Sequence, residues 1–231
     1  AGAENLFREG FQQYPKAPFN NNNPKVYVAG DVMFDNSLFF SNLAKNKSTI
    51  LKELNLTPES YILSTIHRDH NTDIKENLAS IFKALLAIAD HSKINIILPL
   101  HPRTKSKMHT LFNEDEMQMI QQYIQIIPPV SFLDIIALET NARLIITDSG
   151  GIQKEAFFFK KPCVVLRPET EWTELIENGN NMLAGADYDK IIQAFQILFM
   201  KKEFTYPEYF GNGNAAEFIL NEIITQIGST H

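Results

Sequence analysis

Short apolar runs alternating with amphipathic segments constrain the fold of this chain more than any other feature. The runs fall at residues 25–28, 61–65, 95–99, 124–127, 144–147, 163–166 and 181–184, each of strand length. Helical segments are expected at 32–45, 48–54, 74–89, 114–122, 131–139, 152–158, 173–177, 189–200 and 215–227. Helical spacing is clearest in Leu78, Ile81, Phe82, Leu85, Leu86 and Ile88, which line one face. Strands that alternate with helices predict an α/β protein, with a doubly wound parallel sheet covered on both faces. Ligands of such sheets bind beyond the carboxyl ends of the strands. His67-Arg68, His101, Asp148-Ser149-Gly150-Gly151 and the loop Arg167–Glu171 all follow directly on expected strands, which puts them along one rim.

The run Leu144-Ile145-Ile146-Thr147 leads straight into Asp148-Ser149-Gly150-Gly151 and then a helix. Two glycines permit close approach of a bulky ligand to the backbone. The first turn of a helix has unpaired N–H groups and a partial positive charge, which suits a phosphate. Glu155 lies about one helical turn beyond Gly151, where a carboxylate can accept from a pair of sugar hydroxyls. The chemistry is that of a nucleotide or sugar-phosphate site. Two plainer readings stand beside it. Ser149 also suits a helix N-cap, and Glu155 also suits the positive end of a helix.

Composition narrows the partners. The 231 residues suffice for one large core, and 44% are hydrophobic against 21% charged. A net charge of −6 and the absence of a Lys/Arg block argue against nucleic acid. No apolar run approaches the ~20 residues of a membrane helix, and a signal peptide is not expected. The lone Cys163 sits in an apolar run and reads as a buried structural thiol. Cytoplasmic residence is the expectation. No His/Cys/Asp spacing recurs that predicts a metal site.

Residues 11–24 carry three prolines and four successive asparagines, and read as a linker. Before them, residues 1–8 read as the end of a helix stopped by Gly10.

Several segments, taken in order, resemble one family. They are Asp148-Ser149-Gly150-Gly151-Ile152-Gln153 with Glu155-Ala156, Lys161-Pro162, and Leu166-Arg167 with Thr170-Glu171. To these are added Glu4-Asn5-Leu6 with Arg8-Glu9-Gly10, Ala29-Gly30-Asp31-Val32-Met33-Phe34-Asp35, Thr65-Ile66-His67-Arg68 with Asn71, and Gly211-Asn212-Gly213-Asn214-Ala215. The set resembles the non-hydrolysing UDP-N-acetylglucosamine 2-epimerases across essentially the whole chain. The resemblance implies the second Rossmann-like domain of a GT-B-type two-domain protein, with the N-terminal domain absent. Residues 1–24 are then the end of an interdomain helix and its linker, and residues 25–231 the UDP-binding domain.

The resemblance also implies roles. Ser149, Gly150 and Gly151 contact the β-phosphate side of UDP, and Glu155 binds the ribose hydroxyls. His67 is the functional histidine close to the diphosphate, and Arg68 holds an anion or orients a carboxylate. Arg167 and Glu171 belong to a substrate-binding loop, with Glu171 helping to order it. His101 is expected to support the site from behind. Asn71 can cap the helix that starts near Ile74.

Two departures bear on the sugar. An expected UDP-contacting arginine is Trp172, and an aromatic that stacks on uracil in some members is Ile135. The segment Glu169-Thr170-Glu171-Trp172 is more similar to the branch acting on UDP-2,3-diacetamido-2,3-dideoxyglucuronic acid. The implied reaction is inversion at C2 of a UDP-2-acetamido sugar, by elimination and re-addition of UDP, with no cofactor. The carboxylates near C2 come from the other domain, so the chain alone is expected to be inactive. A homodimer of the full-length protein stays open. Two alternatives remain beside this reading: the nucleotide-binding half of a GT-B glycosyltransferase, and a non-enzymatic sugar-nucleotide binding module.

Overall fold

The structure, a computed structural model, describes residues 2–228. The chain begins with α1 (Gly2–Arg8), α2 (Val32–Lys47) and α3 (Ile50–Glu53). Next come β1 (Tyr61–Thr65), α4 (Asp69–Thr72), α5 (Lys75–Ser92), β2 (Asn95–Pro99), α6 (Pro102–Leu111), α7 (Glu114–Tyr123) and β3 (Ile124–Ile127). The second half holds α8 (Phe132–Asn141), β4 (Leu144–Thr147), α9 (Gly150–Phe158), β5 (Cys163–Val165), α10 (Thr173–Glu177), β6 (Asn181–Leu183), α11 (Tyr188–Met200) and α12 (Ala215–Gly228). Two compact units emerge: residues 39–206 form one, and 2–38 with 207–228 the other.

The larger unit is a six-stranded, wholly parallel sheet in the order β3-β2-β1-β4-β5-β6. That order makes it a doubly wound Rossmann-like fold. Alternate residues of each strand feed two separate cores. Ile62, Ile96, Leu98, Leu144, Ile146 and Val164 pack on α5, α7 and α11. Tyr61, Leu63, Ile97, Ile145, Cys163 and Val165 pack on the other face with α3, α8 and α9. Because both faces are covered, the central strands are largely apolar, and β1, β4 and β5 are buried at every position. Cys163 is fully buried, as expected, and burial pushes its thiol well up.

β1 and β4 lie side by side, with Thr65 opposite Thr147 and their hydroxyls 2.6 Å apart. Chain order reverses here, because β2 and β3 build outward on one side and β5 and β6 on the other. A crevice opens beyond the carboxyl ends at such a switch point. The two segments that leave it are the ones carrying His67-Arg68 and Asp148–Gly151.

In the smaller unit, α1 ends before Gly10, whose φ of +105° is open to glycine alone at low cost. Gly30 and Gly211 approach so closely that a Cβ on Gly211 would stand 2.9 Å from the Gly30 Cα. Asp35 accepts from the backbone N–H of Ala216 at 2.7 Å, in the first turn of α12. The strand expected at 25–28 does not form. Its β-branched residues find no partner strand; Val28 is exposed, and Tyr27 sets its ring edge against Phe218.

Candidate functional site

The rim at the switch point is organised by Asp148. Its side chain is fully buried at the end of β4, where three hydrogen-bond donors and the His67 imidazole meet it. The backbone N–H of His67 lies 3.2 and 3.1 Å from Oδ1 and Oδ2, and that of Arg68 lies 3.0 Å from Oδ2. Asn71 Nδ2 donates to Oδ2 at 3.1 Å, and His67 Nδ1 lies 3.1 Å from Oδ1. A carboxylate only accepts, so three converging donors suit it. Asp148 thereby ties the turn after β1 to the turn after β4.

Asn71 is not the cap that its place in the sequence suggested. It is buried, and Nδ2 also donates to the Leu166 carbonyl at 2.9 Å, so it links three strand ends. The N-cap of α5 is Ile74, which supplies no side-chain bond. The sequence singled out neither Asp148 nor Asn71 as an organiser. The available signal was a carboxylate between an apolar strand and Ser-Gly-Gly, a place where burial demands several donors.

Asp148 turns inward, and Ser149 opens α9. Ser149 has extended backbone and is the N-cap, accepting from Ile152 N–H at 3.4 Å. Its own N–H donates to Thr147 Oγ1 at 2.9 Å. The cap role uses the oxygen, and the hydroxyl proton can still be donated to a ligand. Gly150 and Gly151 are the first two helical residues, so their N–H groups have no intrahelical acceptor.

Arg68, Arg167 and Glu171 converge over Gly150. A Cβ there would stand 2.9 Å from Glu171 Oε1, 3.3 Å from Arg167 Nη1 and 3.7 Å from Arg68 Nη2. The glycine is needed for this close approach. Arg167 Nη1 also donates to Glu171 Oε2 at 2.8 Å. Glu171's own backbone N–H, then Arg167 and Arg68, hold its carboxyl below the usual range.

The 167–172 loop is pinned onto α9. Thr170 Oγ1 donates to Gln153 Oε1 at 2.7 Å, and Trp172 Nε1 donates to the Gly150 carbonyl at 3.0 Å. The Lys154 ammonium lies 4.0 Å from the Trp172 ring centroid. Trp172 therefore clamps the loop at the position where the resemblance expects an arginine.

Glu155 is one turn along α9, half-buried, with Oε2 4.0 Å from a Cβ placed on Gly151. Burial pushes its carboxyl up. Glu139 of α8 is 1% exposed, and its Oε2 has no hydrogen-bond partner. Burial, then the charge of Glu155, pushes the Glu139 carboxyl well up. His101 is exposed at the head of α6, and Ile135 is half-buried against the second core. The structure thus brings His67, Arg68, Ser149, Gly150, Gly151, Glu155, Arg167 and Glu171 to one rim. Among the described residues no group of three His, Cys, Asp or Glu side chains is placed to hold a metal. No helix among them is long and apolar enough to cross a membrane.

Residues 2–224 match the UDP-N-acetylglucosamine 2-epimerase family. A UDP-N-acetylglucosamine 2-epimerase homolog of Methanococcus maripaludis is 43% identical over 84% of this chain and 53% of its own length. The UDP-2,3-diacetamido-2,3-dideoxy-D-glucuronate 2-epimerase of Pseudomonas aeruginosa is 38% identical over 94% of this chain and 55% of its own length. The Methanocaldococcus jannaschii UDP-GlcNAc 2-epimerase, solved in complex with UDP-GlcNAc and UDP, superposes with a TM-score of 0.77 at 34% identity, covering 96% of this chain and 58% of that one. The chain therefore spans about half the length of the relatives it matches. Its Rossmann-like fold is shared with GT-B-type epimerases. The organised rim, the strand order and the match along nearly the whole sequence agree: this chain belongs to the UDP-N-acetylglucosamine 2-epimerase family.

Proposed function

We propose that this chain is the UDP-binding half of a UDP-2-acetamido-sugar 2-epimerase. The observation that carries the reading is the rim at the switch point, where two arginines, a capping serine and the first N–H groups of α9 converge on Gly150. A helix N-terminus flanked by guanidinium groups suits a diphosphate. A relative with the same fold has been solved with UDP-GlcNAc and UDP bound.

In this reading Ser149, Gly150 and Gly151 donate to the diphosphate, with Arg68 and Arg167 beside them. Glu155 accepts from the ribose hydroxyls. In the same reading the Asp148 carboxylate accepts from His67 Nδ1–H, which orients the ring and leaves Nε2 for the ligand. Inversion at C2 proceeds by loss of the C2 proton and departure of UDP, followed by re-addition with protonation from the other face. Donors at the diphosphate stabilise charge that builds on the leaving group, the largest contribution a rim of this kind can make. The C2 acid and base come from an N-terminal domain of the longer protein, joined through residues 1–24 as interdomain helix and linker. A dimer of that longer protein is compatible with the reading. Relatives named for UDP-N-acetylglucosamine and for the diacetamido uronic acid are both similar to this chain, so either sugar fits the reading.

Calorimetric titration with UDP, and an NMR assay with UDP-N-acetylglucosamine and UDP-2,3-diacetamido sugars, test the proposal. The expected result is weak UDP binding and no epimerisation by this chain alone. Turnover without the other domain would show that the acid and base have been misplaced.

A further inference from the structure

The carboxylate of Glu171 stands where an anionic ligand is wanted. Its Oε2 accepts from Arg167 Nη1 at 2.8 Å, and its Oε1 lies 2.9 Å from the point where a Cβ on Gly150 would be. Arg68 Nη2 lies 3.7 Å from that same point. One carboxylate is therefore paired with Arg167 above the first residue of α9, where the Arg68 guanidinium also approaches.

Its neighbours in the chain are fixed. Thr170 is bonded to Gln153, and Trp172 is bonded to the Gly150 carbonyl and stacked under Lys154. The backbone around Glu171 is thus pinned on both sides, while its side chain is 49% exposed and can rotate away. The Arg167 side chain is only 17% exposed, so the cation stays as the anion swings. A half-buried guanidinium without a counter-ion is unfavourable, which gives the carboxylate a purpose when no ligand is present.

We propose that Glu171 is a displaceable internal anion: it neutralises Arg167 and Arg68 over Gly150 in the unliganded protein and swings out when a diphosphate takes its place. The inference rests on the reading of this rim as a diphosphate site. Glu171 then lowers ligand affinity instead of adding to it. It also discriminates between anions. A diphosphate offers several oxygens and at least two charges, enough to replace the carboxylate at both guanidiniums, whereas chloride does not.

Inorganic diphosphate is the probe, titrated calorimetrically into the wild-type chain, Glu171→Gln and Arg167→Gln, each checked for folding by circular dichroism. Removing the internal anion should tighten diphosphate binding about three- to fivefold, the size of a half-exposed ion pair. It should also make binding more sensitive to added chloride. Arg167→Gln should weaken binding. A purely structural role for Glu171 predicts loss of affinity in its variant, never a gain. If the wild type binds diphosphate and Glu171→Gln binds it equally or less well, the internal-anion role is wrong and the diphosphate site stands. If neither the wild type nor Glu171→Gln binds diphosphate, both fall together.

Discussion

Asp148 grips His67 at two points: Oδ1 lies 3.2 Å from the histidine's backbone nitrogen and 3.1 Å from its Nδ1. One buried carboxylate thus sets both the backbone path after β1 and the orientation of the imidazole. Asn71 and the Arg68 N–H complete its shell.

Asp148→Asn should cost more than a lost charge. An amide presents one acceptor and one donor to a set of three donors, leaving at least one buried donor facing another. Stability should fall by about 2–4 kcal/mol, in the range for breaking a buried charged hydrogen-bond set. UDP binding should fall at least tenfold, because His67 and Arg68 lose their common anchor. Urea unfolding and calorimetric titration read the two effects. Wild-type affinity in a folded Asn variant would remove Asp148 from its organising role.

Gly150→Val and Glu155→Gln separate phosphate from ribose. Valine at 150 puts methyl groups among Arg68, Arg167 and Glu171, so both UDP and inorganic diphosphate should bind more weakly. Glutamine at 155 keeps the shape but removes a charged acceptor. UDP should weaken by about 1–2 kcal/mol and diphosphate should hardly change. Equal loss of both ligands in Glu155→Gln would assign Glu155 to support of the α9 turn.

Trp172 should behave as a clamp. Trp172→Phe keeps a ring beneath Lys154 but loses the Nε1 bond to Gly150, a cost of about 0.5–1.5 kcal/mol. Trp172→Ala also loses the ring and its packing, and should cost about 2–3 kcal/mol. Denaturant midpoints of the two variants give the order, and an alanine variant as stable as the phenylalanine one would contradict it.

Glu139 makes stability depend on pH in an uncommon direction for a carboxyl. Burial raises its folded pKa well above the ordinary value. Its contribution is therefore complete below the unfolded value of about 4.3 and is lost as pH rises through the raised folded value. Toward alkaline pH the protein should lose stability. Glu139→Gln should match the wild type at pH 5 and exceed it at pH 9 by about 1–3 kcal/mol, the scale of a buried group left unsatisfied. Thermal unfolding at the two values checks the sign. An identical slope in both proteins would place the pH dependence elsewhere.

Much of the architecture was legible along the chain, because burial on two faces writes long apolar runs and one-sided helices write a 3.6-residue period. β1, β2, β3 and β4 have the bounds that their apolar runs predict, and α10 likewise. β5 and β6 stop one residue short of expectation, at Val165 and Leu183. α6 escaped notice because Pro102–Leu111 is polar and shows no apolar stripe; its one signal was proline at the first helical position. α4 is a single four-residue turn with no period to read. The segment 25–28 has strand-forming residues, yet strand propensity has effect only where a neighbour supplies the ladder.

What the sequence determined by itself was local: the six strands of the sheet, most of the helices, and that Ser149-Gly150-Gly151 opens a helix behind an apolar strand. These follow from contacts between residues a few positions apart. Only the tertiary structure decided that β1 and β4 are neighbours, and with that everything long-range. Asp148 meets His67 across 81 positions, Asn71 reaches Leu166 across 95, and Thr170 is fastened to Gln153 across 17. A buried carboxylate must find its donors wherever the sheet brings them. The periodicity of a chain says which residues face inward, but it carries no record of which strand lies beside which.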